Sequence, residues 1–181
     1  MSGGYRTILA DPPWKYNNKR TGGSLSSGSS QKYSTLTLDQ IKAMPIQDFA
    51  HPQSCLLLWI TAPLLPDGLA VMESWGYTYK AIVTWEKLGR LGMGFWLRCQ
   101  TEFCLIGASK GMKPLRIQKK NIFQARPGEH SRKPDEFFDL IELAAPSPRI
   151  ELFARSRREG WGAWGDEVEG GSDVFIPIPG M

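Results

Sequence analysis

Thr7-Ile8-Leu9-Ala10 runs directly into Asp11-Pro12-Pro13-Trp14, and few structures accommodate that junction. The first four residues suit a buried strand. The two prolines fix φ and lack N–H donors, so a sheet ladder cannot continue through them. A strand must therefore end at Asp11, leaving a carboxylate, rigid carbonyls and a broad indole face at its tip. A planar base with an amino group would find N–H acceptors there and a ring to stack on. The plainer alternative is a proline-rich turn beside a core tryptophan.

Periodicity carries the fold reading further. Strands are predicted at Tyr5 to Ala10, Cys55 to Thr61, Tyr77 to Trp85, Thr101 to Gly107 and Arg149 to Phe153, with a short one at Ile122-Phe123. Thr37-Leu38-Asp39-Gln40 has the capping-box pattern, predicting a short helix to Met44. A second helix over Leu65 to Trp75 has its apolar face at Leu65, Leu69, Met72 and Trp75 and ends at Gly76. Pro134 at a helix start, with Asp135 and Glu136 in the first turn, predicts a third that Pro146 stops. Strands alternating with helices imply an α/β fold with a mostly parallel, doubly wound sheet. The expected organisation is a single domain over 1–169, with mobile loops at 19–32 and 87–133, and a loosely held tail at 170–181.

Charge is unevenly placed. Residues 87–133 hold eleven of the 22 basic residues and only Glu102 and Glu129 as acids, a net +9 that leaves −5 for the rest. Such asymmetry is a footprint for a polyanion, with a solvated basic loop as the alternative. Phe95, Trp96, Phe103 and Phe123 interleave with those charges, which favours nucleic acid. Cys55, Cys99 and Cys104 form no CxxC pair, and His51 and His130 are the only histidines, so no metal site and no disulfide framework are expected. The expected setting is the reducing cytoplasm of a prokaryotic cell or phage-infected host. No apolar stretch approaches the length of a membrane span, and Met1-Ser2-Gly3-Gly4 lacks the pattern of a signal peptide.

Several blocks, in order, resemble the N6-adenine methyltransferases related to the messenger-RNA adenosine methyltransferase catalytic subunit. They are Asp11-Pro12-Pro13-Trp14, Leu58-Trp59-Ile60-Thr61, Trp75-Gly76-Tyr77, Glu102-Phe103-Cys104-Leu105-Ile106-Gly107, Lys133-Pro134-Asp135-Glu136 and Ile150-Glu151-Leu152-Phe153-Ala154-Arg155. The resemblance spans Tyr5 to Val168. It implies a Rossmann-like sheet in circularly permuted motif order and S-adenosylmethionine as cofactor. It also implies transfer of a methyl group to the exocyclic amine of adenine, with bacterial and phage members acting on DNA. Carried over by position, Asp11, Pro12, Pro13 and Trp14 would form the catalytic turn. Lys133 would face the cofactor's carboxylate, and Asp11, Phe153, Arg155, Asp166 and Glu167 would complete the cofactor site. Trp14, Tyr16, Lys19, Arg20 and Tyr33 would meet the substrate. For Tyr33 a core position is the competing reading, and Trp59, Trp75 and Trp96 are expected to pack rather than stack on bases.

The chain departs from the family pattern in three places. Ten residues precede Asp11, where larger members have an acidic strand that reads the cofactor's adenine. Arg157-Arg158 stands in place of a His-Asn pair, and Asp166-Glu167 in place of an Asn-Gln pair. The reading is a DNA N6-adenine methyltransferase. RNA adenosine methylation, a non-catalytic nucleic-acid-binding partner subunit and a small-molecule methyltransferase remain as alternatives. Methylation of cytosine N4 uses a related turn that begins with Ser and ends with Tyr, so Asp11 and Trp14 favour adenine. Sequence specificity would then come from the loops, a partner subunit or a second copy, and a homodimer is expected.

Overall fold

The computed structural model describes residues 3–15, 35–89, 91–92, 96–128 and 132–180. Seven strands form one sheet: β1 (Tyr5–Ala10), β2 (Ala50–Ile60), β3 (Thr78–Lys87), β4 (Thr101–Ala108), β5 (Ile122–Ala125), β6 (Arg149–Leu152) and β7 (Trp161–Trp164). Their order across the sheet is β5-β3-β4-β2-β1-β6-β7. β1 pairs in parallel with β2 and β6, β6 with β7, and β3 with β5. β4 alone runs against its neighbours β2 and β3. The mostly parallel α/β sheet expected from the sequence is therefore present, with one reversed strand.

Helices cover both faces, which is why the central strands are apolar on both sides. Helices α1 (Leu38–Lys42) and α2 (Leu65–Ser74) lie over Ile8, Leu56, Leu58 and Ile150. Helix α3 (Asp135–Glu142) covers Leu9, Leu57, Trp59 and Cys104 on the other face. Thr37 and Gln40 make the reciprocal capping box, Gln40 N–H donating to the Thr37 hydroxyl and Thr37 N–H to the Gln40 amide oxygen.

The buried face of α2 differs from the expected one. Gly68, Val71 and Met72 face inward, whereas Leu65 and Leu69 are each 39% exposed. The cause is Gly68: a Cβ there would approach the Ile60 side chain to 2.7 Å. The helix rests on the sheet at its one residue without a side chain, and that contact sets its rotation.

β7 was not expected. Gly162 and Ala163 weaken the β-propensity that the two tryptophans give Trp-Gly-Ala-Trp, and the surroundings hold the strand. Gly162 lies against the Tyr5 ring, with no room for a Cβ. On the outer edge Asp173 N–H donates to Ala163 C=O (2.9 Å), and the Asp173 carboxylate accepts from Ala163 N–H (2.7 Å). The segment after Gly170 is therefore not a loose tail. Arg157 grips both Asp173 carboxylate oxygens at 3.0 Å and donates to Gly171 C=O at 2.7 Å. Ile176 is 4% exposed in the core, with Val174 and Ile178 beside it. Within 87–133, likewise, β4 and β5 are integral sheet strands rather than loop.

Because Ile176 closes this face, Ile176→Ala is expected to lower unfolding free energy by about 2–4 kcal/mol in urea titration. A truly loose tail would show no change.

Candidate active site

Strand order reverses at β1: β2 lies on one side of it and β6 on the other. In an open parallel sheet, the crevice beyond the carboxyl ends of such strands is where ligands bind. Asp11-Pro12-Pro13-Trp14 leaves β1 at that crevice, and Phe153-Ala154-Arg155 leaves β6 beside it.

The turn is held by its own backbone. Trp14 N–H donates to Pro12 C=O (2.8 Å) around Pro13, and Pro13 C=O accepts from Leu36 N–H (3.0 Å). The Trp14 indole N–H donates to Trp59 C=O at the end of β2 (3.1 Å), fixing the plane of a half-buried ring. Pro12 C=O keeps a second lone pair, and Asp11 retains 30% side-chain exposure. Chain segments on both sides of 16–34 meet at this turn, through the Trp14–Leu36 bridge. Tyr16, Lys19, Arg20 and Tyr33, expected to meet the substrate, lie outside the described residues.

Opposite Asp11 stands Lys133, from the segment that starts α3. Its ammonium lies 2.7 Å from Asp11 Oδ2 and 3.2 Å from Glu102 Oε2, at 10% side-chain exposure. It also sits 5.1 Å above the centre of the Trp59 ring, a cation–π contact. Glu102 on β4 is shared, since Lys87 at the end of β3 donates to its other oxygen. Burial alone would lower the pKa of Lys133, but the Asp11 and Glu102 carboxylates outweigh it and hold the ammonium above its ordinary value. Burial would raise Glu102, yet Lys133 and Lys87 keep it below the usual carboxylate range. The corner thus holds charge at neutral pH in both signs. Burial pushes the Cys104 thiol well up, so no thiolate nucleophile stands nearby.

Glu151, on β6, is the other acid of this corner. It pairs in register with Leu9 on β1, and its neighbours Ile150 and Leu152 face α1 and α2, so Glu151 faces the α3 side with Leu9. Burial raises its pKa to about 7, and the Asp11 charge adds to the rise, while Arg158, Lys133 and Arg132 oppose it. Glu102 and Glu151 lie within the motif blocks, but no role attaches to either from the sequence. A usable signal was there: each is a lone acid inside an apolar strand, which is costly unless something binds it.

The remaining expected residues divide. Phe153 adopts φ 61° and places its ring edge-on to Trp164 at 5.2 Å, so it shapes the crevice wall by packing. Arg155, Asp166 and Glu167 are exposed on the adjoining turns, Arg155 Nε standing 4.0 Å from Glu167. Arg157 and Arg158 are engaged structurally, Arg157 by Asp173 and Arg158 by Asp135 with its guanidinium 3.6 Å over the Phe138 ring. Trp59 and Trp75 are buried as expected, but Trp96, which belongs to no strand or helix, is 99% exposed. The basic stretch is split. Lys87, Arg132 and Lys133 belong to the crevice, whereas Lys113, Arg116, Lys119 and Lys120 rim a cavity of about 400 Å³ that also reaches Cys55 and Ala108, toward the opposite strand ends. Among the described residues no cluster could hold a metal, and no helix is long and apolar enough to cross a membrane.

A Rossmann-like sheet with an acidic Pro-Pro-Trp turn at its switch point defines a methyltransferase, and the sequence profile of the MT-A70 family matches residues 5–167. The chain belongs to that family. It is 32% identical to the Type II methyltransferase M.MunI of a Mycoplasma species, over 97% of this chain and 81% of that protein. It is 28% identical to a putative N(6)-adenosine-methyltransferase MT-A70-like protein of Medicago truncatula and 27% identical to the human N(6)-adenosine-methyltransferase catalytic subunit METTL3. Each of those alignments covers 93% of this chain but less than a third of the longer relative.

Because Glu151 has a higher pKa folded than its ordinary 4.5, the native state binds the extra proton and stability falls as pH rises from about 4.5 to 7. Glu151→Gln removes that fall: it should match the wild type near pH 4.5 and exceed it at pH 8 by roughly 2–3 kcal/mol. Urea melts at both pH values provide the measurement.

Proposed function

We propose that the chain is an S-adenosylmethionine-dependent, site-specific DNA N6-adenine methyltransferase. The observation that carries this is the Asp11–Trp14 turn, fixed at the switch point with acceptors and an indole face presented together. Adenine's exocyclic nitrogen is a poor nucleophile because its lone pair is delocalised into the ring. Acceptors for its two hydrogens favour the pyramidal nitrogen that forms as the new bond develops. Asp11 and Pro12 C=O supply these acceptors, and Trp14, anchored to Trp59 C=O, holds the ring plane. In duplex DNA the adenine must leave the stack to reach the turn.

The donor set suits the cofactor. Its amino-acid end carries a carboxylate, for which the Lys133 ammonium is a counter-ion already in the crevice. Arg155, Asp166 and Glu167, on the turns after β6 and β7, suit the polar ribose and base. S-adenosylmethionine supplies a methyl group already activated on sulfur. The residues here therefore have to align, neutralise and exclude water rather than form a covalent intermediate. When Lys133 turns to a carboxylate, Asp11 gains freedom to accept from the amine.

DNA as substrate is supported by the match across most of a Type II methyltransferase, a DNA-modifying class. RNA adenosine is the second reading, supported by the relatives named as adenosine methyltransferases. Purified protein with methyl-labelled cofactor should label adenine-containing DNA more than matched RNA. Asp11→Ala should reduce transfer at least about a hundredfold. Label appearing only in RNA would exchange the substrate, and DNA binding without transfer would leave a scaffold. Trp14→Phe keeps a ring but loses its anchor to Trp59 C=O, so kcat should fall by roughly tenfold.

A further inference from the structure

We infer that the apolar hollow rimmed by Lys80, Lys113, Arg116, Lys119 and Lys120 is a docking surface for the sugar–phosphate backbone of the duplex that flanks the target adenine. The inference rests on the reading of the chain as a DNA adenine methyltransferase. It adds a second contact with the substrate, on the α3 side of the sheet and apart from the crevice.

The hollow, about 400 Å³, lies between the loop 112–121, the first half of β3, the last residues of β4 and the end of α3. Ile82, Ile106, Ile117 and Leu140 give it an aliphatic floor, and no acid lines it. The five cations at its rim are exposed, and their side chains make no hydrogen bond or ion pair with any described residue. Charges of one sign beside low-dielectric walls focus their field outward and concentrate anions there. The loop is fixed at both ends. Met112 N–H donates to Ser109 C=O (3.1 Å), Thr84 N–H to Asn121 C=O (2.8 Å) and the Asn121 amide to Ile82 C=O (3.1 Å). Arg116 stands between those anchors at φ 51°, a backbone conformation that is costly for a residue with a Cβ. The loop holds this cation at the rim against that cost.

The occupant follows from number, shape and spacing. Five such cations exceed what one carboxylate needs and suit an anion that repeats. No aromatic ring lines the hollow, so it offers no platform for stacking an unpaired base. A duplex keeps its bases inside and turns phosphate outward. Lys80 and Lys87 stand seven residues apart on β3, which puts Lys80 about 23 Å from the Lys87–Glu102–Lys133 network. Lys119 and Lys120 precede the anchor of Asn121 on Ile82, about 16 Å from the same network. At one base pair per ~3.4 Å these spans correspond to about five to seven base pairs. Glu136 and Asp139 are exposed on α3 and repel phosphate, which directs the backbone along the β5 edge of the sheet. Arg126 is exposed at the end of that edge, and Glu86 beside it is engaged by the Gln124 amide (3.0 Å).

Fluorescence anisotropy of the whole chain with labelled duplexes tests this, using a site that the wild type modifies. One duplex has long flanks, and two are cut back to about three base pairs from the adenine, each on a different side. Removing one of the two flanks should weaken wild-type binding at least about tenfold, and removing the other should not. The variant combining Lys113→Gln, Lys119→Gln and Lys120→Gln should bind the long duplex at least about tenfold more weakly and be indifferent to that flank. Its affinity should also fall less steeply with salt, the log–log slope being smaller by up to about three. Unchanged affinity for S-adenosylhomocysteine shows that the variant keeps its fold. Equal flank dependence and equal salt slope in the two proteins would overturn the docking surface while leaving the proposed function standing. Capture of the wild type but not the variant by phosphatidylglycerol vesicles, with no effect of either flank, would assign the surface to a membrane and overturn the inference as well. A wild type that methylates no duplex would overturn the proposed function and this inference with it.

Discussion

One buried ammonium organises the functional end of this molecule. Lys133 enters at the head of α3 and is held by Asp11 from the centre of the sheet and Glu102 from the reversed strand β4, with the Trp59 ring beneath it. Removing one partner of such an arrangement leaves a stranded charge, at a cost of about 3–5 kcal/mol. The same network ties three parts of the fold distant in sequence to one point. It also sets a counter-charge against the Asp11 carboxylate.

Around that point the crevice combines rigidity with unmet charge. The proline turn has its carbonyls and indole fixed by hydrogen bonds to neighbouring strands, as methyl transfer by alignment requires. Glu151, by contrast, makes no hydrogen bond or ion pair with a described residue, and burial raises its pKa to about 7. Fixed groups suit the target amine, whose geometry must be exact to fractions of an ångström.

The fold places this crevice with few devices. Gly68 lets α2 rest directly on Ile60, at the tip of β2. The chain after Gly170 supplies hydrogen-bond partners for β7, so the sheet edge next to β6 is covered. Arg157, which stands in place of the family's His-Asn pair with Arg158, sits at the centre of that cover.

What the chain alone determined was local. Pro12 and Pro13 can only end a strand, Thr37 and Gln40 can only cap a helix start, and the run through Leu56, Leu57 and Leu58 demands burial on both faces. These features set the strand order in sequence, the helix positions and the turn that presents Asp11 and Trp14. Tertiary structure decided the rest, because it depends on contacts between residues far apart. It paired Lys133 with Asp11 across more than a hundred residues, gave Glu102 and Glu151 their places, and turned α2 by the absence of a side chain at Gly68. It also left Trp96 in solvent and set Lys113, Arg116, Lys119 and Lys120 around a separate cavity. Periodicity reports which face of a segment is apolar, but a charge acquires its role only from what the fold brings against it.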